Sequence, residues 1–121
     1  MYKVRFGETI EKGDLIAIAN GNDFSIGIYY GRGIGGTVQY YMPNAVKHCM
    51  ERFNVKTAEL TAQGKPTEPL KLNRFWKCYI NTPRDTRIMK LNRENITNQI
   101  DIEDIRVAKE ALKNFNIDVK Y

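Results

Sequence analysis

The sequence predicts a small α+β fold, mainly β: a bent antiparallel sheet or partly open SH3-like barrel carrying one inserted helix and a C-terminal helix. Three observations lead there. Apolar and aromatic residues alternate with a period of two in the early segments, the period lengthens to that of a helix after Pro43 and again after Asp101, and clusters of Gly, Asn and Pro punctuate the changes. The 121 residues suit a single domain, 1–121, built on one core. With 42% hydrophobic and 27% charged residues, the composition is that of a folded globular protein and not of a disordered or fibrous one.

A strand meander is expected over 14–42. Residues 14–20, DLIAIAN, form a short apolar strand, and the GND after it has turn composition because Gly and Asn tolerate positive φ. In 24–32, Phe24, Ile26, Ile28 and Tyr30 share one face while Ser25, Gly27 and Tyr29 share the other. Residues 37–42, TVQYYM, are β-branched and aromatic, which suits a pleated surface. Val46, Cys49, Met50 and Phe53 then fall on one helical stripe, which predicts a helix over about 45–53 with Asn44 as its N-cap after Pro43. Val55 and Thr57 weaken any extension of that helix, and GKPTEP at 64–69 is a loop. Strand signals return in KLNRFWKCYIN and RIMKLN around the turn TPRDT, which predicts a second hairpin over about 71–92. Ile105, Ala108, Leu112 and Phe115 are spaced for a C-terminal helix over about 102–115, with Asp101 as its cap.

The stretch Gly31-Arg32-Gly33-Ile34-Gly35-Gly36-Thr37-Val38 satisfies two phosphate-binding patterns, G-x-G-x-x-G and the kinase loop G-x-G-x-x-G-x-V. A dinucleotide fingerprint must open a helix, whose N-terminus holds the pyrophosphate, but strand formers follow here. A kinase also needs H-R-D and D-F-G, and neither occurs. What is left is a glycine-rich turn between strands, able to offer backbone N–H groups and Arg32 to a phosphate. Tyr29, Tyr30, Tyr40 and Tyr41 flank it from two strands expected to pair. One tyrosine of each adjacent pair should face out, giving either a platform for a base or cross-strand packing with the hydroxyls at the surface. The candidate ligand-binding residues are therefore Arg32, Gly33, Gly35, Gly36, Tyr29 and Tyr41. The expected second hairpin offers an alternative surface for nucleic acid: Arg74, Lys77, Arg84 and Arg87 interleave with Phe75 and Tyr79, and the latter two face outward if Trp76 faces inward.

No catalytic or metal-binding arrangement is legible. His48 and Cys49 are adjacent and Cys78 is the only other thiol, which is no zinc spacing and no nucleophile–base pair. The carboxylates are scattered. The expectation is a protein that is not an enzyme and uses no cofactor or metal. The N-terminal residues lack the apolar stretch of a signal peptide, and the longest apolar run, LIAIA, is far below the ~20 residues of a membrane span, so a cytoplasmic setting with free thiols is expected. Nineteen Lys+Arg against fourteen Asp+Glu give a net charge of +5, which favours an anionic partner.

The segments KGDLIAIANGNDFSIGIYYGRGIGGTVQYYM and KCYINTPRDTRIMKLN, with the Lys-rich final helix, resemble small accessory proteins encoded by large tailed phages. The resemblance implies a binding role in counter-defence: sequestering a nucleotide signal, coating nucleic acid or blocking a host protein. It brings no catalytic motif, and no functional residue is carried over from it. The leading expectation is a phage-encoded binder of a phosphate-bearing nucleotide-type ligand, in the cytoplasm of an infected bacterium, with homo-oligomerisation enclosing the pocket. The alternatives are a KOW-like barrel that binds DNA or RNA and an inhibitor that binds a host protein.

Overall fold

A computed structural model describes residues 2–3, 9–20, 23–32, 38–69, 77–80 and 86–121. Two short strands, β1 (Tyr2–Lys3) and β2 (Thr9–Ile10), pair as a ribbon ahead of the main sheet. The meander follows as β3 (Leu15–Asn20), β4 (Asp23–Arg32) and β5 (Val38–Tyr41), antiparallel throughout. Helix α1 (Pro43–Ala62) is inserted before β6 (Lys77–Ile80) and β7 (Thr86–Lys90), and a 3-10 turn at 93–95 leads to α2 (Gln99–Lys113). The sheet order is β6-β5-β4-β3-β7, an antiparallel sheet with two helices, as expected of a small α+β chain.

The sheet is buried on both faces, which accounts for the unbroken apolar run in β3: Leu15, Ile16, Ala17 and Ile18 are all at most 3% exposed. Leu15, Ile28 and Tyr41 line up across three strands and pack against Val46 of α1, Ile105, Ala108 and Leu112 of α2, and Ile117 and Val119 beyond it. On the opposite face Ile16, Ile18, Tyr29, Val38, Tyr40 and Ile88 form a second core with Ile10 of β2. Gly27 belongs to that layer. A Cβ on it would lie 2.7 Å from the Tyr40 ring, so the bare backbone there is what lets the ring cross β4.

The second hairpin is not formed. Both of its strands exist, but β6 pairs with β5 and β7 pairs with β3, at opposite edges of the sheet. After the meander, β5 and β3 each expose one row of backbone N–H and C=O groups, and β3 has apolar side chains on both faces. Distributing the later strands to the two edges covers both rows, which a local hairpin would not do.

Helix α1 has twenty residues and runs well past the expected end near 53, so among the described residues helices outweigh strands and the fold is not mainly β. Met42 is its N-cap and Pro43 its first residue, because proline has no N–H to leave unsatisfied and its φ is already helical; Asn44 lies inside the first turn. The stripe of Val46, Met50 and Phe53 continues through half-buried Thr57 and Leu60, which overrides the weak propensity of Val55 and Thr57. Hydrogen bonds from Gly64 N–H to Thr61 O and from Lys65 N–H to Leu60 O end the helix. Helix α2 starts earlier than expected, since Asn98 Oδ1 accepts from the N–H groups of Ile100 (2.8 Å) and Asp101 (3.3 Å); Asp101 sits in the first turn and does not cap.

Residues 117–121 return to the start of β3. Ile117 and Val119 are buried, and Lys120 N–H donates to Gly13 O at 2.9 Å. Gly13 has φ +95°, and a Cβ there would overlap the Asp118 carbonyl oxygen, so both the turn and the docked tail require glycine.

Candidate ligand-binding site

The glycine-rich stretch joins two antiparallel strands. Arg32 ends β4 and pairs with Val38, the first residue of β5, so a strand and not a helix follows the glycines. That excludes the dinucleotide geometry. Gly33, Gly35 and Gly36 and the Arg32 side chain lie outside the described residues. At the base of this connection Tyr29 pairs with Tyr40 but Gly31 pairs with Gln39, a register shift that gives β4 an extra residue at Tyr30. Bulges of this kind re-aim side chains at sheet ends.

The outward tyrosine platform does not form. Tyr29 is 1% exposed and Tyr41 0%, and they lie in the two different cores on opposite faces of the sheet. The physical reason is that both faces are covered, so the alternation in β4 and β5 sorts residues between two interiors instead of between interior and water. Tyr30 is the half-buried member of the group. Its ring stands edge-on to Tyr41 with centroids 5.7 Å apart, and the Lys12 ammonium lies 4.8 Å from its centroid. Lys12 is in the exposed turn before β3 and takes part in no ion pair among the described residues. Sequence reasoning missed this pair, although the signal was present: Tyr30 is the last member of the Ile26–Ile28 face, and Lys12 lies in the KGD turn leading into β3.

The cations next along are engaged. Asp14, 2% exposed, accepts from Glu11 N–H at 2.8 Å and lies 3.7 Å from Lys90 Nζ and 3.5 Å from Lys120 Nζ. Lys120 also donates to Glu11 at 2.9 Å. That hydrogen bond, reinforced by the attraction between the two charges, holds the Glu11 carboxyl below its ordinary value; the same bond raises the Lys120 ammonium above its own. The cluster ties the turn before β3, strand β7 and the C-terminal tail together, and it neutralises Lys90 and Lys120 on a buried carboxylate.

The residues of the alternative surface are not gathered. Lys77 and Tyr79 are in β6 and Arg87 is in β7, with three strands between them; Arg74, Phe75 and Arg84 lie outside the described residues. A cleft of about 330 Å³ opens between β4 and the first turns of α1 and α2, bordered by Ile26, Pro43, Ile100, Asp101 and Asp104. Its carboxylates, one paired with Lys47 at 3.5 Å, make it a poor receptor for phosphate. Among the described residues no three His, Cys, Asp or Glu side chains are grouped to hold a metal ion, and no helix is long and apolar enough to cross a membrane. His48 and Glu51 form an exposed pair at 3.7 Å, and the half-buried Cys49 thiol accepts from Arg52 at 3.6 Å, so the two adjacent residues turn to different partners. Compared with protein-family models, with curated proteins and with solved structures, the chain matches none.

Proposed function

We propose that this protein is a non-enzymatic binder of a phosphate-bearing, nucleotide-type ligand, held at the end of the β4–β5 hairpin. The observation that carries the reading is the Lys12 ammonium resting on the half-buried Tyr30 ring, beside the strand end that bears Arg32. Phosphate oxygens need convergent donors, which Lys12, Arg32 and the backbone N–H groups of a glycine-rich connection can supply. The Tyr30 ring, edge-on to Tyr41, fixes the place of the Lys12 ammonium beside that strand end. The sequence style adds the setting of a phage protein that sequesters a signal nucleotide in the host cytoplasm.

Titration calorimetry against linear and cyclic nucleotides, with inorganic phosphate and a single-stranded oligonucleotide as comparators, tests the reading. A nucleotide should bind, and Arg32→Ala should weaken it by about tenfold or more without lowering Tm. Unchanged binding by Arg32→Ala would remove the hairpin from the site. Binding only to the oligonucleotide, with a steep salt dependence, would replace this reading with the nucleic-acid one.

A further inference from the structure

Helix α2 turns one stripe of charge to solvent: Glu103, Arg106, Glu110 and Lys113, all exposed and spaced three, four and three residues apart. That spacing keeps them on one line of the helix surface. The usual use of such a pattern is pairing within the helix. It is not made here, because the ion pairs among the described residues join Lys47 to Asp104, His48 to Glu51, and Lys90 and Lys120 to the Glu11–Asp14 turn. The four charges also have an internal symmetry. About Ala108, Glu103 mirrors Lys113 and Arg106 mirrors Glu110, so reversing the helix direction places every acid where a base stood. The stripe forms one wall of a groove of about 650 Å³ between α1 and α2, to which Met50, half-buried Val107 and buried Ala111 contribute apolar surface.

We propose that this face is an isologous self-association surface whose occupant is a second copy of this chain, with the two α2 helices antiparallel across a two-fold axis that crosses their exposed faces midway between Arg106 and Glu110. Charge complementarity selects that occupant: a two-fold axis makes each contact reciprocal, and only an antiparallel copy sets all four charges against opposite ones. Glu103 then faces Lys113 of the partner subunit, and Arg106 faces Glu110 of the partner subunit, with half-buried Val107 flanking the charges on the groove side. Such pairs remain solvated, so the association is reversible and weakens with salt. The inference does not rest on the ligand reading, since this face is on α2 and not on the β4–β5 hairpin.

Sedimentation equilibrium on the full chain at low and high salt tests it. A dimer should form at low salt and dissociate more readily at high salt. Lys113→Glu sets like charges against each other twice in the dimer and should weaken it by about tenfold or more. Adding Glu103→Lys to that variant restores opposite charges with the positions exchanged and should recover the affinity, while at concentrations where the parent is monomeric both variants melt cooperatively, a few degrees below the parent at most because Lys113 sits in the last turn of α2. A monomer at every attainable concentration, a dimer indifferent to Lys113→Glu, or a double variant no better than the single one would each overturn the proposal.

Discussion

Two lysines separated by about a hundred residues in sequence meet the same turn and are used in opposite ways. Lys120 is hydrogen-bonded to Glu11 and lies 3.5 Å from buried Asp14; Lys12 rests on an aromatic ring and takes part in no ion pair among the described residues. Both add equally to the net charge. Their environments decide that one ties the C-terminal tail to the turn while the other rests on a ring, which is why a formal charge of +5 says little about what each cation does.

The contrast can be broken first at its buried centre. Asp14→Ala removes the acceptor of the Glu11 N–H and leaves two lysines without their common carboxylate, and it should cost about 2–4 kcal/mol in urea denaturation. Next comes the direct comparison of the two cations. Lys120→Met should lower Tm and leave nucleotide affinity unchanged, whereas Lys12→Met should change stability by no more than about 0.5 kcal/mol and reduce affinity. An equal loss of Tm in both would erase the distinction. The smallest effect is that of Glu11→Gln. Because the folded-state carboxyl titrates below its ordinary value, the stability it adds is present above that ordinary value and is lost as pH falls through the lowered one. Melts across an acid series should show parent and variant converging at the low end, while an offset that persists there would assign the effect to packing.

Much of the fold was legible because its signals are local. The three meander strands were readable from an apolar run, an alternation, a β-branched and aromatic composition and the turn residues between the first two, and α2 from the spacing of Ile105, Ala108 and Leu112. The places of β6 and β7 were not, since the choice of sheet edge depends on which backbone rows the meander leaves open, and that is a property of the assembled sheet. The tyrosines failed for a related reason. Alternation assigns Tyr29 and Tyr41 to opposite faces, but nothing in the segment says that both faces are covered. Of the candidate site, the strands on either side of the glycines were readable, while Lys12 reaches Tyr30 only once the chain folds.

Strand β3 pairs on one side with its immediate neighbour and on the other with β7, where Ile18 faces Ile88, seventy positions later. The first ladder closes a short loop; the second closes a long one, and its entropy must be met before any of its hydrogen bonds form. The meander can therefore assemble while the outer row of β3 still lacks its partner, leaving an apolar edge of the kind that recruits strands from other chains. Until β7 docks on β3 and β6 on β5, both edges of the meander stay open, and slower docking of either strand should lower yield during expression.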